Sequence, residues 1–166
     1  MKSLLIVGAG SFPPEVEELA RLCGYDSFAY VDDNPEARCQ PVIGPLAFLP
    51  TYRNDYTDAI VAFGNNANRL LQTKVLLDAG YNIPVLIHPT AYVSPDADIA
   101  PGCIIRAHCV VSRFVKLGMA CILNVGALID HDVEIGEGSH ILMGAVVRNM
   151  VKLPSESRVE SNQVVE

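Results

Sequence analysis

The stretch ALIDHDVEIGEGSH, residues 127–140, carries a histidine between two carboxylates, and two isoleucines, Ile129 and Ile135, six residues apart. A spacing of six fits neither the 3.6-residue period of a helix nor a plain strand alternation. Extended in both directions, the spacing holds. Ile87, Val93, Ile99, Ile105, Val111, Leu117, Leu123, Ile129, Ile135, Ile141, Val147, Leu153, Val159 and Val165 are all Ile, Leu or Val, in a chain where fewer than a third of the residues are. A second series stands two residues before these: Ala91, Ala97, Cys103, Cys109, Val115, Cys121, Ala127, Val133, Ser139, Ala145, Val151 and Ser157 are small or β-branched, and only Gln163 breaks it. Small inward, one outward, large inward is a three-residue strand, and three residues then remain for a turn. Three strands and three turns make an 18-residue coil of a triangular prism, with coils stacked at about 4.8 Å. The spacing predicts a parallel β-helix of about four coils over residues 85–166.

Residues 18 apart stack, so the outward strand positions sort by face. One face carries Val110, Leu128, Val146 and Val164; the next carries Asp98, Lys116, Glu134 and Lys152; the third carries Ile104, Ile122, His140 and Arg158. The middle set is a solvated charge ladder. The other two are apolar where water is expected, which marks them for burial against something. They flank the edge formed by Asn124–Gly126 and Leu142–Gly144, and two such faces meeting at one edge suit a homotrimer with that edge towards its axis. Cover by the N-terminal segment over one of the faces is the alternative.

Residues 1–84 read differently. LLIVGAG (4–10) is a strand entering a glycine turn, and PPEVEELARLCG (13–24) is a helix with prolines in its first turn and Gly24 as its stop. SFAYVDD, DAIVAFG and NANRLLQTKVLLDAG add two strands and a second helix, with a loose stretch at 34–58. This predicts a Rossmann-like α/β domain. Gly8 and Gly10 supply two glycines of a dinucleotide fingerprint whose third position is Pro13, and Asp32 and Asp33 end the second strand where an acid meets ribose hydroxyls. A nucleotide-type ligand and a plain strand–turn–helix with solvated acids are both open on these residues.

Composition bounds the partners. The formal net charge is −7 with no dense basic cluster, which argues against nucleic acid and anionic membrane. No apolar run approaches the roughly 18 residues of a membrane span. The five cysteines form no CxxC pair, and three of them fall on inward positions, so they read as reduced core residues of a cytoplasmic protein.

Both halves in this order resemble the sugar O- and N-acetyltransferases of bacterial surface-glycan synthesis. The resemblance rests on IVGAG, YVDDNPEA, VIGPL, AFGNNANR, LIHPTAYVSPDADI, ILNVGALIDHDVEIGEGSHI and GAVV. It implies a left-handed β-helix, acetyl-CoA as co-substrate, no metal, and a sugar or nucleotide-sugar acceptor. His131 would be the general base, Asp132 would orient it and raise its basicity, and Asn124 would hold substrate or ring. His140, Gly144, Asn149 and Ser161 would contact the coenzyme. Gly10, Ser11, Phe12, Asp32 and Asp33 would hold the nucleotide part of the acceptor. Two features depart from the family: SFPP (11–14) replaces a Gly-His-Gly type loop, and the last coil keeps the spacing but loses its glycines. Asn149 stands where relatives have a coenzyme-contacting glycine, and asparagine is expected to take the left-handed turn there.

Three classes of function follow. The first is an acetyl-CoA-dependent sugar acetyltransferase. The second is a degenerate or non-catalytic trimer that binds a nucleotide sugar. The third, a zinc hydratase of the β-helix type, needs three converging histidines, whereas His108, His131 and His140 fall on different faces or turns. A full dinucleotide dehydrogenase would need more than the N-terminal residues offer.

Overall fold

Residues 2–166 are described in the structure, a computed structural model. The chain divides into two compact units, one ending at Pro84 and one spanning Val85–Glu166. In the first, β1 (Ser3–Val7), β2 (Ser27–Val31), β3 (Val42–Gly44) and β4 (Asp58–Val61) form a parallel sheet in the order β3-β2-β1-β4. The central β1 is buried from Leu4 to Val7, which is why it reads as a continuous apolar run. Helix α1 (Pro13–Leu22) follows β1 and stops at Gly24, whose φ of +89° is the left-handed stop expected there. Helix α3 (Asn66–Asp78) follows β4 and is capped by Asn65, whose side chain accepts from the Asn68 N–H. The stretch 34–58, expected to be loose, instead holds β3, a 3-10 turn at Leu46–Phe48 and the short helix α2 (Leu49–Tyr52). These elements are too short to show a period. They are pinned from outside, by the Asp33 carboxylate accepting from the Leu46 N–H and by the Gly44 carbonyl accepting from the Asp32 N–H.

The second unit is the expected left-handed parallel β-helix. Fourteen two-residue strands, Leu86–Ile87 to Val164–Val165, fall into three ladders of five, five and four strands, and neighbours in each ladder are 18 residues apart. The inward series packs as one core, with Cys103, Cys109 and Cys121 buried in it and none of the three in a disulfide.

Two sets of backbone hydrogen bonds join the coils. Strand N–H groups donate to the following coil, as from Ile122 to Ser139 and from Leu128 to Ala145, each 2.9 Å. Corner N–H groups donate to the preceding coil, as from Gly126 to Ala107 at 2.9 Å, Asp132 to Arg113 at 3.1 Å and Met150 to His131 at 3.2 Å. Every sixth residue from Gly102 to Asn162 has a φ between 57° and 76°, and seven of these positions, including Asp132 and Met150, are not glycine. Left-handed backbone costs a residue with a Cβ about 1 kcal/mol or more, so the corners store strain that the core and the ladders offset. Asn149 is not among these residues; its neighbour Met150 takes the left-handed conformation, so the turn expected at Asn149 lies one residue later.

The outer faces differ from expectation in one respect. The charge ladder is present, with Glu134 Oε1 3.7 Å from Lys116 Nζ and 3.2 Å from Lys152 Nζ. Val110, Leu128 and Val164 are exposed, Leu128 by 42%, and make an open apolar face. Ile104 and Ile122, expected to face a neighbouring chain, have no exposed surface in the single chain, and His140 beside them is only 9% exposed. The open apolar face is the one that carries Val110, Leu128 and Val164. Among the described residues no helix is long and apolar enough to cross a membrane.

At Gly118 and Gly136 the next coil lies too close for a side chain. A Cβ on Gly136 would lie 2.3 Å from the Ser155 nitrogen, against backbone that has nowhere to move, whereas a Cβ on Gly10 meets nothing within 4 Å. Gly136→Ala should lower the unfolding free energy by about 1–3 kcal/mol, read from urea unfolding midpoints, and Gly10→Ala should change it far less. Equal midpoints for the two variants would contradict this account of coil stacking.

Candidate active site

His131 stands on the corner that follows the open apolar face. The chain turns there through Asp130, His131 and Asp132, and both acids have tasks. Asp130 Oδ1 accepts from the His131 N–H at 2.7 Å and fixes the start of the turn. Asp132, in the left-handed conformation, brings Oδ2 to 2.8 Å from His131 Nδ1. The hydrogen bond to Asp132 holds the imidazole pKa above its usual value, and the charges of Asp130 and Asp132 act in the same direction. A carboxylate on Nδ1 selects the tautomer with its proton there and leaves Nε2 as the free base. The ring is 51% exposed in the single chain, so Nε2 has access to a reactant. One coil earlier, Arg113 is tied to Asp96 at 2.8 Å. One coil later at the same corner stand Asn149 and the exposed Met150.

The neighbouring corner, on the other side of the open face, carries Asn124, Gly144 and Ser161 at stacked turns. Asn124 Oδ1 accepts from Arg106 Nη1 at 2.7 Å and from the Val125 N–H at 2.8 Å. Both partners can only donate, so that end of the amide is the oxygen and its NH2 is the group presented outward. Gly144 has φ +67°, and a Cβ there would meet Asn162 Oδ1 at 2.5 Å. Between the corners the open face holds a groove of about 300 Å3 lined by Val110, Leu128, Val146 and Asp130. Within one chain, then, His131, Asp132 and Asn149 share one edge, and Asn124, Gly144 and Ser161 share the next. His140 joins neither edge: it lies on the third face of the prism, in the ladder with Ile104 and Ile122. His108 lies on the Asn124 edge, a corner away from His131.

The first unit has its own cleft, of about 290 Å3, lined by Gly10, Ser11, Phe12, Pro13, Asp32, Ala62, Phe63 and Gly64. It sits at the carboxyl ends of β1, β2 and β4, where parallel sheets bind ligands. Asp32 accepts from the Ala9 N–H at 2.8 Å through Oδ2 and from the Asn34 N–H at 2.9 Å through Oδ1, and it still lines the cleft. Asp33 does not line it; its carboxylate is taken up by Leu46. The wall formed by Ala62, Phe63 and Gly64 was not singled out from the sequence as binding surface. The signal for it was the carboxyl end of the DAIVAFG stretch, where β4 runs out into Ala62, Phe63 and Gly64.

Thus the class is set by two units in one chain, a small α/β domain with a strand-end cleft and a parallel β-helix with a histidine–carboxylate corner: a hexapeptide-repeat acyltransferase scaffold. Residues 3–76 match the family of the PglD N-terminal domain. The acetyltransferase domain of PglB from Neisseria gonorrhoeae FA1090 is 30% identical, with a TM-score of 0.76, covering 100% of this chain and 92% of that one. PerB from Caulobacter crescentus, in complex with CoA and GDP-perosamine, is 28% identical with a TM-score of 0.88, covering 100% and 89%. WeeI from Acinetobacter baumannii AYE, 18% identical with a TM-score of 0.69 over 98% of each chain, shares the fold. No curated protein sequence matches the chain. The chain belongs to the sugar N-acetyltransferase family of bacterial glycan synthesis.

The His131–Asp132 pair has a direct signature in titration. Because the carboxylate favours the imidazolium, removing its charge must lower the pKa. Asp132→Asn should move the His131 midpoint to lower pH when followed by imidazole proton resonances. An unchanged or raised midpoint would show that Asp132 does not set the basicity of the ring.

Proposed function

We propose that the chain transfers an acetyl group from acetyl-CoA to a sugar, a nucleotide-linked amino sugar, with His131 as general base. The observation that carries this reading is the 2.8 Å contact between His131 Nδ1 and Asp132, which leaves Nε2 free. The acceptor nitrogen attacks the thioester carbonyl carbon, Nε2 takes its proton, a C–N bond forms and the C–S bond breaks. The thiolate leaves as coenzyme A and takes the proton back from the imidazolium, so the ring returns to its starting state. The Asn124 NH2, presented by its two oxygen-side bonds, is suited to hold a carbonyl or hydroxyl oxygen in this step. The cleft at Gly10–Phe12 and Asp32 takes the nucleotide part of the acceptor, and Asp32 has the remaining acceptor capacity for a ribose hydroxyl. Asp33 keeps only an indirect part, through the segment it anchors. GDP-perosamine in the complex of PerB supports a nucleotide-linked acceptor for this chain.

The working unit in this reading is a homotrimer. The His131 edge and the Asn124 edge lie on two sides of one open apolar face, and a head-to-tail ring of three chains sets one edge of each chain against the other edge of its neighbour. The coenzyme arm then lies between chains, near Gly144, Asn149 and Ser161.

Release of coenzyme A thiol with a panel of nucleotide-linked amino sugars tests the reaction. His131→Ala should slow turnover by roughly 10²–10⁴, the range for loss of a general base, with an unchanged circular dichroism spectrum. Turnover like that of the native chain in this variant would remove His131 from the mechanism. Absence of thiol release from the native chain with every acceptor would favour a binding protein over an enzyme.

The assembly has a separate test in sedimentation. The native chain should sediment as a trimer. Leu128→Asp, which places a charge in the centre of the open face, should dissociate it. A stable native monomer would end the trimer reading.

A further inference from the structure

The wall of the N-terminal cleft is held from behind by a residue that the proposed reaction does not otherwise use. Arg69, on α3, has no exposed surface. Its Nη1 donates to the Phe63 carbonyl at 2.9 Å and to the Gly64 carbonyl at 3.4 Å, and its Nη2 donates to Asn66 Oδ1 at 2.9 Å. A single planar guanidinium thus grips two successive peptide groups of the wall, a task that its fixed fork suits and that a flexible ammonium does poorly. From the other side, the Phe63 ring lies on Gly8, where a Cβ would come within 2.8 Å of the ring. Gly8 has a φ of +108°, so the site is closed to a larger residue by conformation as well as by space. The ring is therefore seated on a residue without a side chain while its backbone is held by a buried cation. It remains half-exposed, and it lines the cleft.

Burying a guanidinium is costly unless its donors are met, and an apolar side chain would fill the same volume without that cost. The position of Arg69 makes sense if the height of the Phe63 ring matters. We infer that Phe63 is the platform on which the base of the acceptor nucleotide stacks, and that Arg69 is the positioning residue that sets the ring for it. This rests on the acceptor reading of the cleft. Stacking tolerates different bases, because each offers a planar face. The platform accordingly selects for a nucleotide without choosing among bases, and the choice falls to the groups at the edge of the cleft.

Calorimetric titration of the native chain with uridine diphosphate, guanosine diphosphate and, separately, coenzyme A provides the test. Phe63→Ala and Arg69→Lys should each weaken the better-bound diphosphate by about tenfold or more, with coenzyme A affinity unchanged. The double variant should bind no more weakly than Phe63→Ala alone, because Arg69 acts through the ring. Multiplying losses in the double variant, or equal loss of coenzyme A affinity in Arg69→Lys, would overturn the inference in favour of a general structural role. Phe63→Ala leaves the arginine in place, so unchanged diphosphate affinity in that variant overturns the inference even if Arg69→Lys fails to fold. A native chain that binds neither diphosphate removes the acceptor reading of the cleft and this inference with it; a native chain that binds while the variants bind equally well removes the inference alone.

Discussion

The second unit depends on one backbone hydrogen bond repeated at its corners. At eight of the eleven left-handed turns, every sixth residue from Ala120 to Asn162, the N–H donates to a carbonyl of the coil before, while the strand residues bond to the coil after; His108 N–H donates instead to Thr90 Oγ1. Each coil is thus tied in both directions, and the chain can turn sharply every six residues without leaving buried backbone groups unmet. Seven of the eleven corner residues in this conformation carry a side chain and take the strain that goes with it. The strain is tolerated because the corner cannot relax without breaking its bond to the preceding coil and disturbing the apolar column inside. Where the coils come closest, at Gly118 and Gly136, even a methyl group would strike backbone.

The same corner builds the chemistry. Asp132 is at once a left-handed corner residue, bonded through its N–H to Arg113 of the previous coil, and the carboxylate on His131. Aspartate tolerates this conformation better than most residues, so the left-handed turn of the fold and the carboxylate against the His131 ring fall on one side chain. His131 in turn offers its carbonyl to the Met150 N–H of the next coil. The imidazole therefore projects from backbone tied on both sides, and its position is as rigid as the prism itself.

The period of six was legible because inward positions admit only apolar residues of limited size, and a run from Ile87 to Val165 leaves little room for coincidence. Three features were not legible. The left-handed series is hidden because glycine fills only some of its positions; Phe114, Ala120 and Met150 give no hint of a positive φ. The exposure of outward residues is also hidden: the period tells that Ile104, Ile122 and His140 leave the prism, but not that they are buried while Val110 and Leu128 are exposed. The third concerns the strand-end acids. Asp32 and Asp33 look equivalent as a pair, yet one lines the cleft and the other does not, its Oδ1 accepting from the Leu46 N–H, a contact from a segment with no period to read.

These differences bear on how the base is tuned. In the single chain, His131 is open to water, and Asp132 and Asp130 push its pKa up. An imidazole held too basic is protonated at neutral pH and cannot accept a proton. Packing of a second chain against the open face would strip water from the ring, and desolvation disfavours the imidazolium. The two effects oppose each other: the carboxylate raises basicity, and cover by a neighbour brings the pKa back towards the working range. Under the proposed assembly, the acidic limb of the pH–rate profile then lies below the midpoint that the monomeric chain would show. In the proposed assembly, the chain that supplies the second edge would also adjust the ring on the first, so that assembly would act on the electrostatics of the site as well as on its geometry.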